Sequence, residues 1–244
     1  MSGEEGVGMR SDPRRWFDSD ELAELVPAAT VVLVRDGGAG LETLMLRRNS
    51  TLDFAGGMWV FPGGRVDEAD RDGAADELHA ARRAAVREAE EEAGLLVDDA
   101  ELVWIAHWQP PAGARRRFAT WFFLAPAPQG GAVSIDGGEI HDAAWMSPAV
   151  AIARRDALEI ELAPPTWVTL DYLSRFAGVD EAMAAARTLV PEHYETHIGV
   201  VDGGAVALWH GDAGYADSDA SAEGARHRLW MLRTEPWRFE RDLP

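Results

Sequence analysis

The sequence predicts an α+β fold, a sandwich of helices against a sheet, with a helical and stranded C-terminal extension. Three observations carry that prediction. Strand-like and helix-like stretches follow one another in the order β–β–α–β–β–α–α–β–β, the pattern of a single α+β or α/β layer structure. The most periodic helical stretch, residues 77–93, lies between two pairs of strand-like segments and is followed by a glycine. With 244 residues, 47% of them hydrophobic, the chain has enough apolar side chains for one sizeable core.

Residues 1–26 are polar and charged and read as a tail, with one short amphipathic piece around residues 20–26. AATVVLVRD (28–36) reads as a strand, DGGAG as a hairpin turn and LETLMLRR (41–48) as the returning strand. In MWVFPGGRVDEAD a short apolar strand breaks at Pro62, Gly63 and Gly64. After the helix at 77–93 come two more strands, ELVWIAHW (101–108) and FATWFFLA (118–125), joined by a loop with Arg115, Arg116 and Arg117. Helices are predicted at 148–157, from Pro164 onward, where prolines suit a first turn, and at 179–188. ETHIGVVD, AVALWH and HRLWMLR are strand-like, and residues 211–224 form a polar loop before the last of them. There is no internal repeat. Residues 27–244 are predicted to form one domain, with an elaboration from about residue 165.

Composition narrows the function classes. A formal net charge of −19 argues against a general nucleic-acid binder, which needs a basic face. The absence of cysteine removes disulfides, zinc–thiolate sites and cysteine nucleophiles, and fits a reducing cytoplasm. No apolar run approaches a membrane span, and MSGEEGVGMR lacks a signal peptide's apolar stretch. All 23 basic residues are arginine, so an anionic ligand would be met by arginines or by metal.

The stretch REAEEEAGL places four glutamates within residues 88–92, at the C-terminal end of the predicted helix. The helix dipole makes that end partly negative, and Glu88 and Glu92 repel at i, i+4. Glu88, Glu91 and Glu92 share one face, while Glu90 points elsewhere. Three convergent carboxylates suit a hard divalent cation such as Mg²⁺ or Mn²⁺. A solvated acidic face is the competing interpretation, and the helix alone does not decide between them.

Residues 61–95 resemble the signature of the Nudix hydrolases, G-x5-acid-x7-R-E-apolar-x-E-E-x-G-apolar. Arg87, Glu88, Ala89, Glu91, Glu92, Gly94 and Leu95 fit its second half, and Phe61, Pro62, Gly63 and Gly64 fit the usual entry to the first. Counted forward from Gly64, the first acid is Asp70, and Arg87 then falls nine residues late. Counted backward from Arg87, that place belongs to His79. An insertion near residues 71–78 that interrupts the box accounts for the mismatch and leaves Asp70, Glu77 and His79 as alternatives. An interrupted box of this kind, with LRR before it and VDEAD after FPGG, resembles the branch of coenzyme A and acyl-coenzyme A diphosphatases. Gln109, Pro110 and Pro111 before Arg116, Arg117 and Phe118, and the start at Pro164, Pro165 and Thr166, are similar as well.

The resemblance implies an α/β/α sandwich with a mixed sheet and hydrolysis of a nucleoside diphosphate linked to another group. It implies Mg²⁺ or Mn²⁺ held by Glu88, Glu91 and Glu92, with a carbonyl of Gly63 or Gly64 adding an oxygen. Arg87, at i, i+4 from Glu91, would orient that carboxylate, or form an ordinary helix ion pair. Glu139 is the candidate loop acid, a solvent-facing loop residue being the alternative. Arg48, Arg116 and Arg117 are candidate phosphate ligands, against a simple surface charge run. The partner is then a small nucleotide conjugate, not nucleic acid or a membrane, and a homodimer stays open. A nucleotide-sugar or dinucleotide pyrophosphatase, and a non-catalytic binding module, are the competing functions.

Three other patterns lead nowhere. Residues 68–79 approach a calcium loop but end in histidine and begin with glutamate. His193 and His197 have zinc spacing, yet they adjoin a strand-like run. No G-x-S-x-G accompanies a histidine.

Overall fold

The computed structural model describes residues 23–49, 55–135 and 137–242. The expected tail lies mostly outside these residues; its last part is not tail, since strand β1 (Leu25–Gly37) already starts there. The backbone pairs at once, because Val66 N donates to Pro27 O at 3.0 Å. The described chain divides into two compact units, one of residues 26–108 and 118–193, the other of residues 23–25, 109–117 and 194–242.

In the first unit β1 and β2 (Gly40–Arg48) form the predicted hairpin, antiparallel with Val34 opposite Thr43. The full order of the mixed sheet is β3-β2-β1-β6-β5-β8, with β4 paired to β1 and β7 to β2. Its further members are β3 (Trp59–Val60), β4 (Gly63–Arg65), β5 (Val103–Gln109), β6 (Arg117–Pro126), β7 (Ile140–Met146) and the edge strand β8 (Glu192–Glu195). Val31, Val32, Leu33 and Val34 are all fully buried, so both faces of β1 are covered, as a continuous apolar strand predicts. One cover is α2 (Glu77–Ala93), preceded by the short α1 (Glu68–Arg71). Ala81, Ala84, Ala85, Ala89 and Ala93 form its inward stripe against Ala29, Val31, Leu33, Leu44, Leu46 and Phe123. Alanine on that stripe gives helix propensity and lets the axis approach the sheet closely. Helices α3 (Pro148–Asp156) and α4 (Pro164–Leu173) pack on each other, and α3 also reaches β2. α5 (Val179–Thr188) matches its predicted bounds.

Helix α2 has the predicted bounds, and its caps are local. The Asp76 side chain accepts from His79 N, and Gly94 ends the helix at φ 67°, its N–H returning to Glu90 O at 2.9 Å.

Several short elements depart from the sequence analysis, α1 and β8 among them, and two bear on the site. Gly63 and Gly64 do not merely break a strand; they begin β4, which lies so close to β1 that a Cβ on Gly63 would collide with Ala29 O and Thr30. The stretch before α3 contains β7, whose I-H-D-A-A-W-M lacks a strand's alternation and is ordered by pairing to β2.

The second unit contains the antiparallel sheet β12-β11-β10-β9, built from β9 (His197–Val201), β10 (Gly204–Leu208), β11 (His227–Leu232) and β12 (Arg238–Arg241). The last of these was not predicted. Arg228 on β11 makes a buried double contact with Asp212, Nε to Oδ2 at 2.7 Å and Nη2 to Oδ1 at 2.6 Å. Asp212 also accepts from His227 N and Gly214 N. No helix among the described residues is long and apolar enough to cross a membrane.

Candidate active site

The acidic end of α2 faces β4 and the end of β2. Glu92 is 6% exposed, and its Oε2 accepts the backbone N–H of Gly63 at 3.0 Å. Burial pushes its pKa up to about 8; the Gly63 N–H and Arg48 oppose that, while Glu88 and Glu139 add to it. Burial also raises Glu88, against the pull of Arg87. Glu91 lies further out, with a side chain 58% exposed. The three glutamates thus share a face, graded from buried to open.

Arg87 ties Glu88 and Glu91 to α1. Its Nη1 donates to Glu88 Oε1 at 2.8 Å and to Glu91 Oε2 at 2.9 Å. Its Nη2 reaches Arg65 O at 2.9 Å, and Nε and Nη2 both donate to Asp70. The i, i+4 contact with Glu91 is present, but it is one of five bonds. Hydrogen bonding to Asp70 is the first cause holding the guanidinium protonated.

The three acid or histidine alternatives for the first half of the box have different partners. Asp70, 5% exposed, is the acid that meets Arg87. His79 lies in the first turn of α2, its Nδ1 at 2.7 Å from Asp76. The acid of the forward count is therefore the one in contact with Arg87. Residues 71–78 form the turn after α1 and the start of α2, and Arg71 pairs with Glu77 across them. Arg83 donates to the carbonyls of Asp70, Asp72 and Gly73, so this turn is anchored at several points.

Arg48 and Glu139 meet from distant parts of the chain. Arg48 Nη2 is 3.1 Å from Glu139 Oε2, and Nη1 is 3.8 Å from Glu92 Oε1. Arg116 and Arg117 belong to the segment 109–117 of the second unit. Arg116 is exposed, and the Nε of Arg117 is buried without a hydrogen-bond partner among the described residues. The imidazoles with zinc spacing have different neighbours. His193 lies 5.6 Å from both Trp104 and His107, while His197 stacks on Tyr215 at 4.2 Å.

Sequence reasoning missed the Gly63 N–H as a donor to Glu92, and the Arg65 carbonyl as an acceptor for Arg87. The FPGG motif was the available signal for Gly63; nothing local marks Arg65.

Among the described residues no three His, Asp or Glu side chains are gathered as a ready metal-holding group. Glu88 and Glu91 are turned toward Arg87 instead. In chemical kind the set fits a hard divalent cation, since it offers carboxylate oxygens from three side chains on one face of α2. Gly64 keeps room beside them, because a Cβ there would collide with Glu88 Oε1.

Comparison with known proteins matches a NUDIX domain over residues 24–166. Comparison with curated proteins gives no match. Among solved structures the chain is similar to a NUDIX hydrolase from Alicyclobacillus acidocaldarius, at 25% identity and TM-score 0.62, over 69% of this chain and 98% of that one. It is also similar to an Ap4A hydrolase from C. elegans, at 23% identity and TM-score 0.44, over 62% of this chain and 96% of that one. The NUDIX domain of Shewanella oneidensis NrtR, solved with ADP ribose, matches at 19% identity and TM-score 0.47, over 70% and 96%. With its NUDIX domain spanning most of the first unit and the acidic end of α2 set against β4, the chain belongs to the Nudix hydrolase family.

Proposed function

We propose that the chain is a Mg²⁺- or Mn²⁺-dependent diphosphatase whose substrate is a nucleoside diphosphate joined to a second group, with coenzyme A or a short acyl-coenzyme A preferred. The observation that carries the reaction class is the approach of Glu92 to Gly63 N–H and to the Arg48–Glu139 pair, which brings three separated segments to one acidic point.

Glu88, Glu91, Glu92 and the Gly64 carbonyl would hold the cation. When bound, divalent metal offsets phosphate charge and lowers the pKa of a water nucleophile. Arg87, fixed by Asp70 and Arg65, sets the orientation of Glu88 and Glu91. Glu139, on an exposed loop, is the general base that takes the proton from the attacking water. Arg48 binds phosphate oxygens, and Arg116 and Arg117 are further candidate phosphate ligands by their place in the sequence alone. A small-molecule substrate and a cytoplasmic setting belong to the same proposal. Retention of all three glutamates favours an enzyme over a binding module.

The preference for coenzyme A rests on the interrupted box and its flanking motifs. Turnover measured across coenzyme A, dephospho-coenzyme A, acyl-coenzyme A, ADP-ribose, diadenosine tetraphosphate and a nucleotide sugar tests it. Coenzyme A should be cut to adenosine 3′,5′-bisphosphate and the phosphopantetheine half. It should exceed dephospho-coenzyme A by about tenfold, the worth of one charge-assisted contact. Faster cleavage of ADP-ribose or a dinucleotide than of every coenzyme A derivative would remove the substrate assignment. Wild-type turnover in both Glu91→Gln and Glu92→Gln would remove the metal assignment.

A further inference from the structure

Arg48 is aimed by the sheet. It continues the alternation of Leu44 and Leu46, whose side chains pack against α2, so it points to the same layer beyond the end of the apolar row. Opposite it β7 carries an irregularity, since Arg47 pairs with Asp142 but Arg48 with Ile140, leaving His141 extra. That bulge draws the Glu139 loop against the end of β2, where Asn49 N donates to Glu139 O at 2.7 Å and Asn49 Nδ2 to Gly138 O at 3.1 Å.

The guanidinium therefore stands between two acids of different elements, Glu139 at 3.1 Å and Glu92 at 3.8 Å. Its contact with Glu92 is longer than a hydrogen bond, and its buried Nε has no hydrogen-bond partner among the described residues. It fills the gap by charge, with donor capacity to spare.

We propose that Arg48 is an internal counter-ion that bridges Glu92 and Glu139 in the metal-free chain and gives up Glu92 when a divalent cation binds there. Arg48 and the cation then compete for one carboxylate. The released guanidinium becomes available to a phosphate oxygen of the substrate, so metal binds first and the anionic substrate second. This rests on the metal role of α2 proposed above.

The test uses the full-length, metal-free protein and Mg²⁺ as the probe. Nitrogen-15 NMR follows two signals, the Gly63 amide that donates to Glu92 and the Arg48 Nε–H, assigned with Arg48→Gln. Both should shift along one binding curve, and the Arg48 Nε–H should exchange faster with solvent at saturation. Independently, paramagnetic resonance of free Mn²⁺ should show Arg48→Gln binding at least about fivefold more tightly than wild type, the effect of removing one charge about 4 Å from Glu92 even at the screening of bulk water. If the Gly63 amide responds while Arg48 stays fixed, or if Arg48→Gln binds Mn²⁺ no more tightly, the counter-ion role is overturned and the metal site stands. If the Gly63 amide does not respond, the metal role of α2 fails and this proposal fails with it.

Discussion

Arg87 and Asp70, seventeen residues apart, are joined by two hydrogen bonds, Nε to Oδ1 at 3.2 Å and Nη2 to Oδ2 at 2.9 Å. Asp70 also accepts from Asp67 N at 2.8 Å, so one buried carboxylate fixes both the start of α1 and the arginine that orients Glu88 and Glu91. The pair links the two halves of an interrupted motif.

Asp70→Asn should therefore lower kcat/KM by about tenfold or more and cost about 1–3 kcal/mol of stability, since a neutral amide cannot satisfy the fork. His79→Asn should change kcat/KM by less than about twofold, because the Asp76 cap uses the backbone N–H of His79, which the variant keeps. Steady-state kinetics and urea unfolding on both variants check this. The opposite ranking would restore the backward register.

Two glycines separate site effects from backbone effects. Gly64→Ala pushes a methyl group into the Glu88 carboxylate. It should depress kcat strongly while leaving most of the stability. Gly73 has open space around its missing Cβ but φ of 67°. Gly73→Ala should cost about 1 kcal/mol through that backbone strain and leave kcat unchanged. Melting temperatures and kcat measured together distinguish the two.

The buried Arg228–Asp212 pair gives a stability prediction for the second unit. Arg228→Ala leaves Asp212 buried without its main partner and should destabilise by about 3–5 kcal/mol. Replacing both partners together with apolar residues of similar volume should recover only part of that loss, because the N–H groups of His227 and Gly214 then lose their acceptor. A double variant as unstable as Arg228→Ala would show that the pair is needed for more than charge balance.

His107 sets a pH dependence. It lies 4.6 Å from the Trp121 ring and 5.6 Å from that of His193. Burial first, then the charge of His193, pushes its pKa down to about 4. An unfolded imidazole takes its proton near about 6.5, so between the two values the unfolded chain binds a proton the folded chain refuses. The His107 contribution is full above about 6.5 and is lost as the pH falls toward 4. Urea midpoints measured from pH 7.5 to 4.5 should fall less steeply for His107→Phe than for wild type. Parallel curves would show that His107 is not the group responsible.

Helix α2, the β1–β2 hairpin and the paired glutamates were legible in the sequence because their causes are local. A 3.6-residue alanine stripe, an Asp76 cap, a closing Gly94 and a two-residue turn act within a few residues of themselves. The strands β4, β7, β8 and β12 were not legible, since each is short or lacks alternation and is ordered by hydrogen bonds from a neighbouring strand. The same holds within the candidate site. Spacing placed Glu88, Glu91 and Glu92 on one face, but the contact of Asp70 with Arg87 depended on how α1 folds back onto α2. The meeting of Arg48 with Glu139, ninety-one residues away, required a register shift in β7 that no local pattern encodes. Sequence determined which groups could do the chemistry; long-range pairing, whose partners are distant in the chain, decided which of them stand together.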